Sequence, residues 1–202
     1  MKLYYAPGTC SLSPHIILQE TGLAHTLVKT DIRAKTTEGG GDYKAKNPHG
    51  YVPALELDDG SILTEGPAIV QYLADKAPEK HLAPANGTMD RYKMQSWLNF
   101  VSTELHKGFS PLFNPAMPDD AKKLAKDRLA QRFEVLDKHL GKHQYLCGDT
   151  YSLPDAYAFV VLNWTKPTNI DLQPYKNISA FQARIAARPA VQAAMKAEGL
   201  IK

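Results

Sequence analysis

The sequence predicts an α/β N-terminal domain followed by an all-α C-terminal domain, and three observations carry that reading. Strand and helix signals alternate over residues 1–80. A tract rich in Pro, Ala, Asn and Gly, "PEKHLAPANGT" (78–88), then interrupts them. Beyond it the apolar residues recur at helical spacing to the C-terminus. The expected domains are 1–80 and 88–202, joined by a linker at 81–87.

The elements follow in order. "KLYYA" (2–6) is a short aromatic-rich strand that stops at Pro7-Gly8. Pro14 suits the first turn of a helix, and "HIILQETG" carries that helix to a stop at Gly22. "HTLVKT" (25–30) is a second strand, parallel to the first because a helix crosses between them. About 20 polar residues follow, centred on Gly39-Gly40-Gly41, and read as loop with room for one short helix. "VPALEL" (52–57) and "SILT" (61–64) flank Asp58-Asp59-Gly60, a strong hairpin signal. "EGPAIVQYLADKA" (65–77) closes the domain as a helix. This order gives a mixed four-stranded sheet of the thioredoxin type.

In the second half, Thr88 caps a long helix expected to run to about residue 108, and Pro111, Pro115 and Pro118 interrupt. Leu129, Phe133, Leu136 and Leu140 mark the buried face of a helix over 119–141. "SLPDAYAFVVLNW" (152–164) is apolar nearly all round and reads as a buried central helix. Two shorter helices split near Pro189.

Composition narrows the function classes. The chain has 202 residues, 44% hydrophobic and 22% charged, which is ordinary for a soluble globular protein. The net charge of +3 is spread out, with Lys122-Lys123 the one adjacent basic pair, which argues against a nucleic-acid partner. Two cysteines make no disulfide framework and suit a reducing compartment. No targeting segment or membrane span is visible, so the expected location is cytoplasmic.

The chemistry starts at Cys10, where the first strand hands over to the first helix. Unpaired N–H groups and the helix dipole there favour a thiolate over a thiol, and the thiolate is the reactive form. Cys10-Ser11-Leu12-Ser13 is C-x-x-S, able to form a mixed disulfide but not an internal one. Val52-Pro53 opens the third strand; a cis bond there would offer the Val52 backbone to a bound peptide, and an ordinary edge-strand proline is the alternative. At Thr64-Glu65-Gly66-Pro67 the N–H groups of a helix start can hold a carboxylate while Glu65 pairs with an ammonium; plain capping competes with that reading. Ser152 and Asp155 have the spacing of a capping box, so Asp155 reads as structural. On "WLNFVSTELHKGF" (97–109), Glu104 and Lys107 are spaced for a solvated pair, and Asn99 and His106, seven apart, are expected on one face. Cys147 reads as structural.

Together "KLYYAPGTCSLSPH", "NPHGYVPALELDDGSILTEGPAIVQYLAD", "WLNFVSTELHKGFSPLF" and "YLCGDTYSLPDAYAF" resemble a bacterial glutathione S-transferase, of the beta class by the cysteine at position 10. The resemblance spans essentially the whole chain. It implies the glutathione transferase fold, a homodimer, and glutathione as co-substrate with no metal. By the same resemblance Cys10 meets the glutathione sulfur and His106 takes a catalytic part. Val52, before the family's cis Pro53, would pair with the tripeptide backbone. Glu65 and Gly66 would hold its γ-glutamyl end, with glycine here where many relatives have serine. Lys35 would contact its glycyl carboxylate, and Asn99, Thr103 and Glu104 would wall the site from the helical domain. The hydroxyls of Tyr5 and Ser11 stand available for thiol activation, as in other classes of the family.

The resulting expectation is a transferase that conjugates glutathione to small hydrophobic electrophiles, in a cleft between the domains near Phe109, Phe113 and Trp164. The first alternative is a glutathione-dependent thiol–disulfide oxidoreductase or reductive dehalogenase using Cys10. The second is a non-catalytic protein that binds hydrophobic ligands.

Overall fold

A computed structural model describes the whole chain, Met1–Lys202. It divides into two compact units, Met1–Leu82 with Arg188–Lys202, and Ala83–Ala187.

The first unit is built on a sheet of five strands in the order β3-β2-β1-β4-β5. They are β1 (Lys2–Tyr5), β2 (Thr26–Asp31), β3 (Thr36–Thr37), β4 (Ala54–Glu56) and β5 (Ile62–Thr64). β1 and β2 are parallel, as the crossover through α1 (Leu12–Thr21) requires. The β4–β5 hairpin is antiparallel, with Leu55 opposite Leu63, and β4 pairs antiparallel with β1, with Leu3 opposite Leu55. The fifth strand, β3, lies in the polar tract where only a short helix was expected. It is two residues long, paired antiparallel to β2, and shows none of the alternation by which strands are recognised. The tract also holds the expected helical turn, at Tyr43–Ala45.

Leu3 and Leu55 from the sheet, Ile16, Ile17 and Leu18 from α1, and Ile69, Val70 and Leu73 from α2 (Gly66–Lys76) are fully buried. Gly22 ends α1 at φ 72°, its N–H donating to the Leu18 carbonyl at 3.0 Å, a backbone conformation that glycine adopts without strain. Glu56 ties β4 to its neighbours: the Tyr4 hydroxyl donates to it at 2.7 Å, and Lys2 and Lys46 each lie 2.9 Å away. These three bonds hold its carboxyl down at about 2, the two lysine bonds contributing most.

The chain's last segment departs from the sequence reading. Residues 188–202, expected to belong to the helical domain, pack on the first unit, with α8 (Pro189–Ala197) against α1. This explains why every residue of Leu12–Leu18 is buried, Ser13 and His15 included. His15 Nδ1 meets Glu198 Oε1 at 2.9 Å, Glu198 Oε2 accepts the Gly8 N–H at 3.0 Å, and Arg188 makes a two-pronged pair with Glu20 at 2.7 and 3.0 Å. Helical periodicity marks a buried face without saying what covers it.

The second unit contains α3 (Met89–Phe100), α4 (Lys107–Phe113), α5 (Asp119–Leu140), α6 (Leu153–Leu162) and α7 (Lys176–Ala186). Thr88 caps α3 as expected, accepting the Arg91 N–H at 3.2 Å. The long helix expected to run to about 108 is not one uniform α-helix. A π-helical segment, Val101–His106, separates α3 from α4, and Pro111 lies inside α4 rather than ending it. Leu129, Phe133 and Leu136 of α5 are fully buried, and all ten residues of α6 are buried, matching its apolar sequence. The Ser152–Asp155 capping box forms. Asp155 is fully buried and accepts N–H bonds from Ser152 and Leu146, both at 2.8 Å, so it anchors the preceding loop as well as the helix.

Candidate functional site

In the first unit the turn from β1 to α1 is built by hydroxyls. Ser11, at the N-cap of α1, is fully buried. Its Oγ accepts the Ala6 N–H at 3.1 Å and lies 2.8 Å from Thr9 Oγ1. That engagement makes Ser11 a brace for the turn, in contrast to the expectation of a hydroxyl available to a ligand. Tyr5 is nearly buried too, and burial raises its phenol above the ordinary value. Cys10 remains half-buried, and its Sγ donates to the Val52 carbonyl at 3.3 Å. The turn thus sets the thiol against the start of the third strand of the sequence reading.

Val52 lies before β4, and the Val52–Pro53 bond is cis. Beneath it Tyr4, Ala6, Tyr43, Val52 and Ala54 form a small buried cluster. Gly66 opens α2 beside Pro53: a Cβ added at Gly66 would lie 3.8 Å from Pro53 Cγ, an ordinary contact. Glu65, just before it, is exposed and left-handed at φ 68°, while its carbonyl accepts the Ala68 and Ile69 N–H groups at 3.0 Å. A non-glycine residue held in that region costs about 1–3 kcal/mol, and such residues cluster at ligand clamps. Lys35 is left-handed as well, at φ 59°, and its Nζ donates to the Gly50 carbonyl at 2.9 Å. Cys10, Val52–Pro53, Glu65–Gly66 and Lys35 therefore offer a thiol, the backbone at a cis peptide bond, a carboxylate beside a helix start, and an ammonium.

In the second unit the π-helical turn decides which side chains share a face. A π turn takes about one residue more than an α turn, so positions seven apart no longer line up. Asn99 is exposed while His106 is half-buried, contrary to the expected common face. Thr103 is exposed and donates to the Asn99 carbonyl at 2.9 Å. Glu104 pairs with Arg132 of α5, not with Lys107. Sequence spacing cannot show such a partner, because 28 residues separate the two. His106 Nδ1 lies 2.6 Å from the Tyr157 hydroxyl. Burial, then the Lys107 charge, takes its imidazole down to about 4, so it is neutral at physiological pH.

Trp164 gathers the aromatic rings. His106, Phe109 and Phe113 all meet it nearly edge-on, at centroid distances of 4.8, 5.9 and 5.7 Å. Phe109 is 0% exposed and also packs on Phe133, which corrects its expected place in a substrate pocket: it is core. Phe113 is 49% exposed and Trp164 half-buried, so these two remain as an accessible apolar surface. Cys147 is exposed. No group of three or more His, Cys, Asp or Glu side chains is placed to hold a metal ion. Sequence reasoning missed Tyr43, Tyr157 and the His15–Glu198 pair. A histidine inside the apolar run "SPHIIL" was the one visible signal among them.

Comparison with known proteins shows which family the chain resembles over its whole length. The family described as glutathione S-transferase, N-terminal domain, matches residues 3–81, and that described as glutathione S-transferase, C-terminal domain, matches residues 100–189. The chain is 46% identical over 200 residues to glutathione S-transferase GstA of Escherichia coli O157:H7, covering 99% of this chain and 100% of that one. Among solved structures, it is similar to BphK, a bacterial glutathione transferase determined as a ternary complex (56% identity, TM-score 0.97, covering 98% and 100% of the two chains). It is also similar to a sphingomonad glutathione S-transferase complexed with glutathione (47%, TM-score 0.96, all of both chains). A beta-class enzyme of Sphingomonas chungbukensis matches at 47% identity and TM-score 0.97, again over all of both chains. The chain belongs to the glutathione S-transferase family, alongside its bacterial beta-class members.

Proposed function

We propose that the protein conjugates glutathione to small hydrophobic electrophiles. The observation that carries this reading is the grouping, in the first unit, of the Cys10 thiol on the Val52 carbonyl with Glu65–Gly66 and Lys35. The tripeptide presents an ammonium and carboxylate at one end, a carboxylate at the other and a thiol between. Those groups are complementary to Glu65, the α2 start, Lys35 and Cys10. The α1 N-terminus favours a thiolate, the attacking form of the sulfur. In the second unit neutral His106 serves as a hydrogen-bonding group rather than a cation, and Phe113 with Trp164 suits an apolar co-substrate. Asn99, Thr103 and Glu104 are the polar side chains of that unit offered to glutathione. We take the enzyme to be a cytoplasmic homodimer with a detoxifying role; size-exclusion chromatography with light scattering tests the dimer. Calorimetry with glutathione, followed by turnover of a chloronitroarene, tests the reaction. No heat of binding by folded protein refutes this function, and binding without turnover favours a ligand-binding protein.

One observation favours a second activity. Cys10 is a partly accessible thiol in a C-x-x-S sequence, suited to attack a glutathione disulfide. Where that disulfide joins glutathione to another thiol, attack on the glutathione sulfur forms a Cys10–glutathione mixed disulfide and releases the other thiol as its thiolate; a second glutathione then displaces the enzyme sulfur and leaves as glutathione disulfide, so the two glutathione sulfurs are oxidised as the other thiol is reduced. Cys10→Ser separates the two activities: disulfide reduction disappears, and conjugation persists if it does not need the sulfur.

A further inference from the structure

Lys35 stands out for how firmly it is held. Its left-handed backbone is fixed by its own N–H on the Asp31 carbonyl at 2.8 Å and by the Tyr43 N–H on its carbonyl at 2.9 Å. Its side chain lies along Gly50: a Cβ added there would come within 3.0 Å of Cδ, 3.2 Å of Cε and 3.4 Å of Nζ. Gly50 is itself left-handed at φ 65°, with its N–H on the Asn47 carbonyl at 2.8 Å. The Lys35 ammonium donates to the Gly50 carbonyl and sits 5.5 Å from the centroid of the Tyr51 ring. An ammonium has three donors, so two remain for an anion.

Tyr43 links the two halves of this arrangement. While its backbone N–H holds Lys35, its hydroxyl donates to the Tyr51 carbonyl at 2.6 Å, and Asn47 Nδ2 donates to that same carbonyl at 2.7 Å. Tyr43 is fully buried, and burial pushes its phenol up to about 12, so it keeps the proton it donates. One buried side chain thereby sets the distance between the lysine's backbone and the loop that steers its head group. A mobile surface lysine would lose rotamer freedom on meeting an anion; this one has already lost it.

We propose that Tyr43, Gly50 and Tyr51 are positioning residues that aim the Lys35 ammonium at the terminal carboxylate of the thiol peptide, so that the clamp selects peptides ending in a free carboxylate. The proposal rests on the glutathione reading above, takes from it the Lys35–carboxylate contact, and adds the residues that hold the lysine in place. The test compares binding of glutathione and of its C-terminal amide by calorimetry, in wild type, Lys35→Met, Tyr43→Phe and Gly50→Ala. Wild type prefers the acid by about tenfold or more, the strength expected of a hydrogen bond to a charged group. Lys35→Met removes the preference. Tyr43→Phe and Gly50→Ala bring it at least threefold closer to unity, mainly by weakening the acid. Equal weakening of both peptides, or an unchanged ratio in Tyr43→Phe, overturns the proposal by reducing these residues to a structural role. Tyr43→Phe is close to isosteric, so it decides the matter even where Gly50→Ala does not fold. Wild type that binds neither peptide ends the glutathione reading itself; wild type that binds both equally leaves that reading standing and ends the clamp.

Discussion

Replacing Glu56 by Gln removes one negative charge from the first unit and leaves the shape of the side chain almost unchanged. The carboxylate faces Lys2 and Lys46 at 2.9 Å each and accepts the Tyr4 hydroxyl at 2.7 Å. Its carboxyl falls from the ordinary 4.5 to about 2, which corresponds to about 3 kcal/mol of folding stability at neutral pH. Both lysines are about half exposed, at 52% and 45%, so solvent screening brings the expected loss in Glu56→Gln to about 1.5 kcal/mol. The folded value lies below the unfolded one. The contribution is therefore complete above pH 4.5 and fades as the pH falls towards 2. Urea unfolding followed by far-UV circular dichroism is the assay, because Trp97 and Trp164 both belong to the second unit and report poorly on Glu56. The stability gap between wild type and variant should be constant from pH 7 to 5 and shrink to less than half by pH 3. A gap of equal size at pH 7 and pH 3, or one below about 0.5 kcal/mol at pH 7, would refute the electrostatic account and leave only packing.

Asp155→Ala strips a buried acceptor from the N–H groups of Leu146 and Ser152 and should cost about 3 kcal/mol, read from the urea midpoint, with glutathione affinity per folded molecule unchanged. His106, held down to about 4, should show the NMR shifts of a neutral imidazole from pH 8 to 5 and contribute no inflection to kcat/KM near 6.5. Its folded value lies below the unfolded one, so the stability it confers is full above 6.5 and is lost as the pH falls through 4. Gly66→Ser has room for its Cβ, 3.8 Å from the nearest atom, and adds a hydroxyl at the α2 start; glutathione should bind about threefold tighter by calorimetry, and weaker binding would contradict the assigned place of that helix start.

The sequence by itself determined what depends on neighbours along the chain. The β1–α1–β2 crossover, the Asp-Gly hairpin, the Thr88 cap and the Ser152–Asp155 box are local patterns, and each forms where its residues stand. Four stretches of sequence in register carried the family. Tertiary structure decided whatever depends on which face meets which. The two-residue β3 exists because β2 offers it a free edge, and α8 packs on α1, far away in sequence, with Glu198 just beyond its end meeting His15. Phe109 became core and Phe113 accessible although both are aromatic and four residues apart, because burial follows from the helices that surround them. The π turn re-aimed His106 towards Tyr157 and gave Glu104 to Arg132. A propensity is summed over a few residues, whereas a partner is chosen by packing across the fold, and packing is where the sequence alone stops being legible.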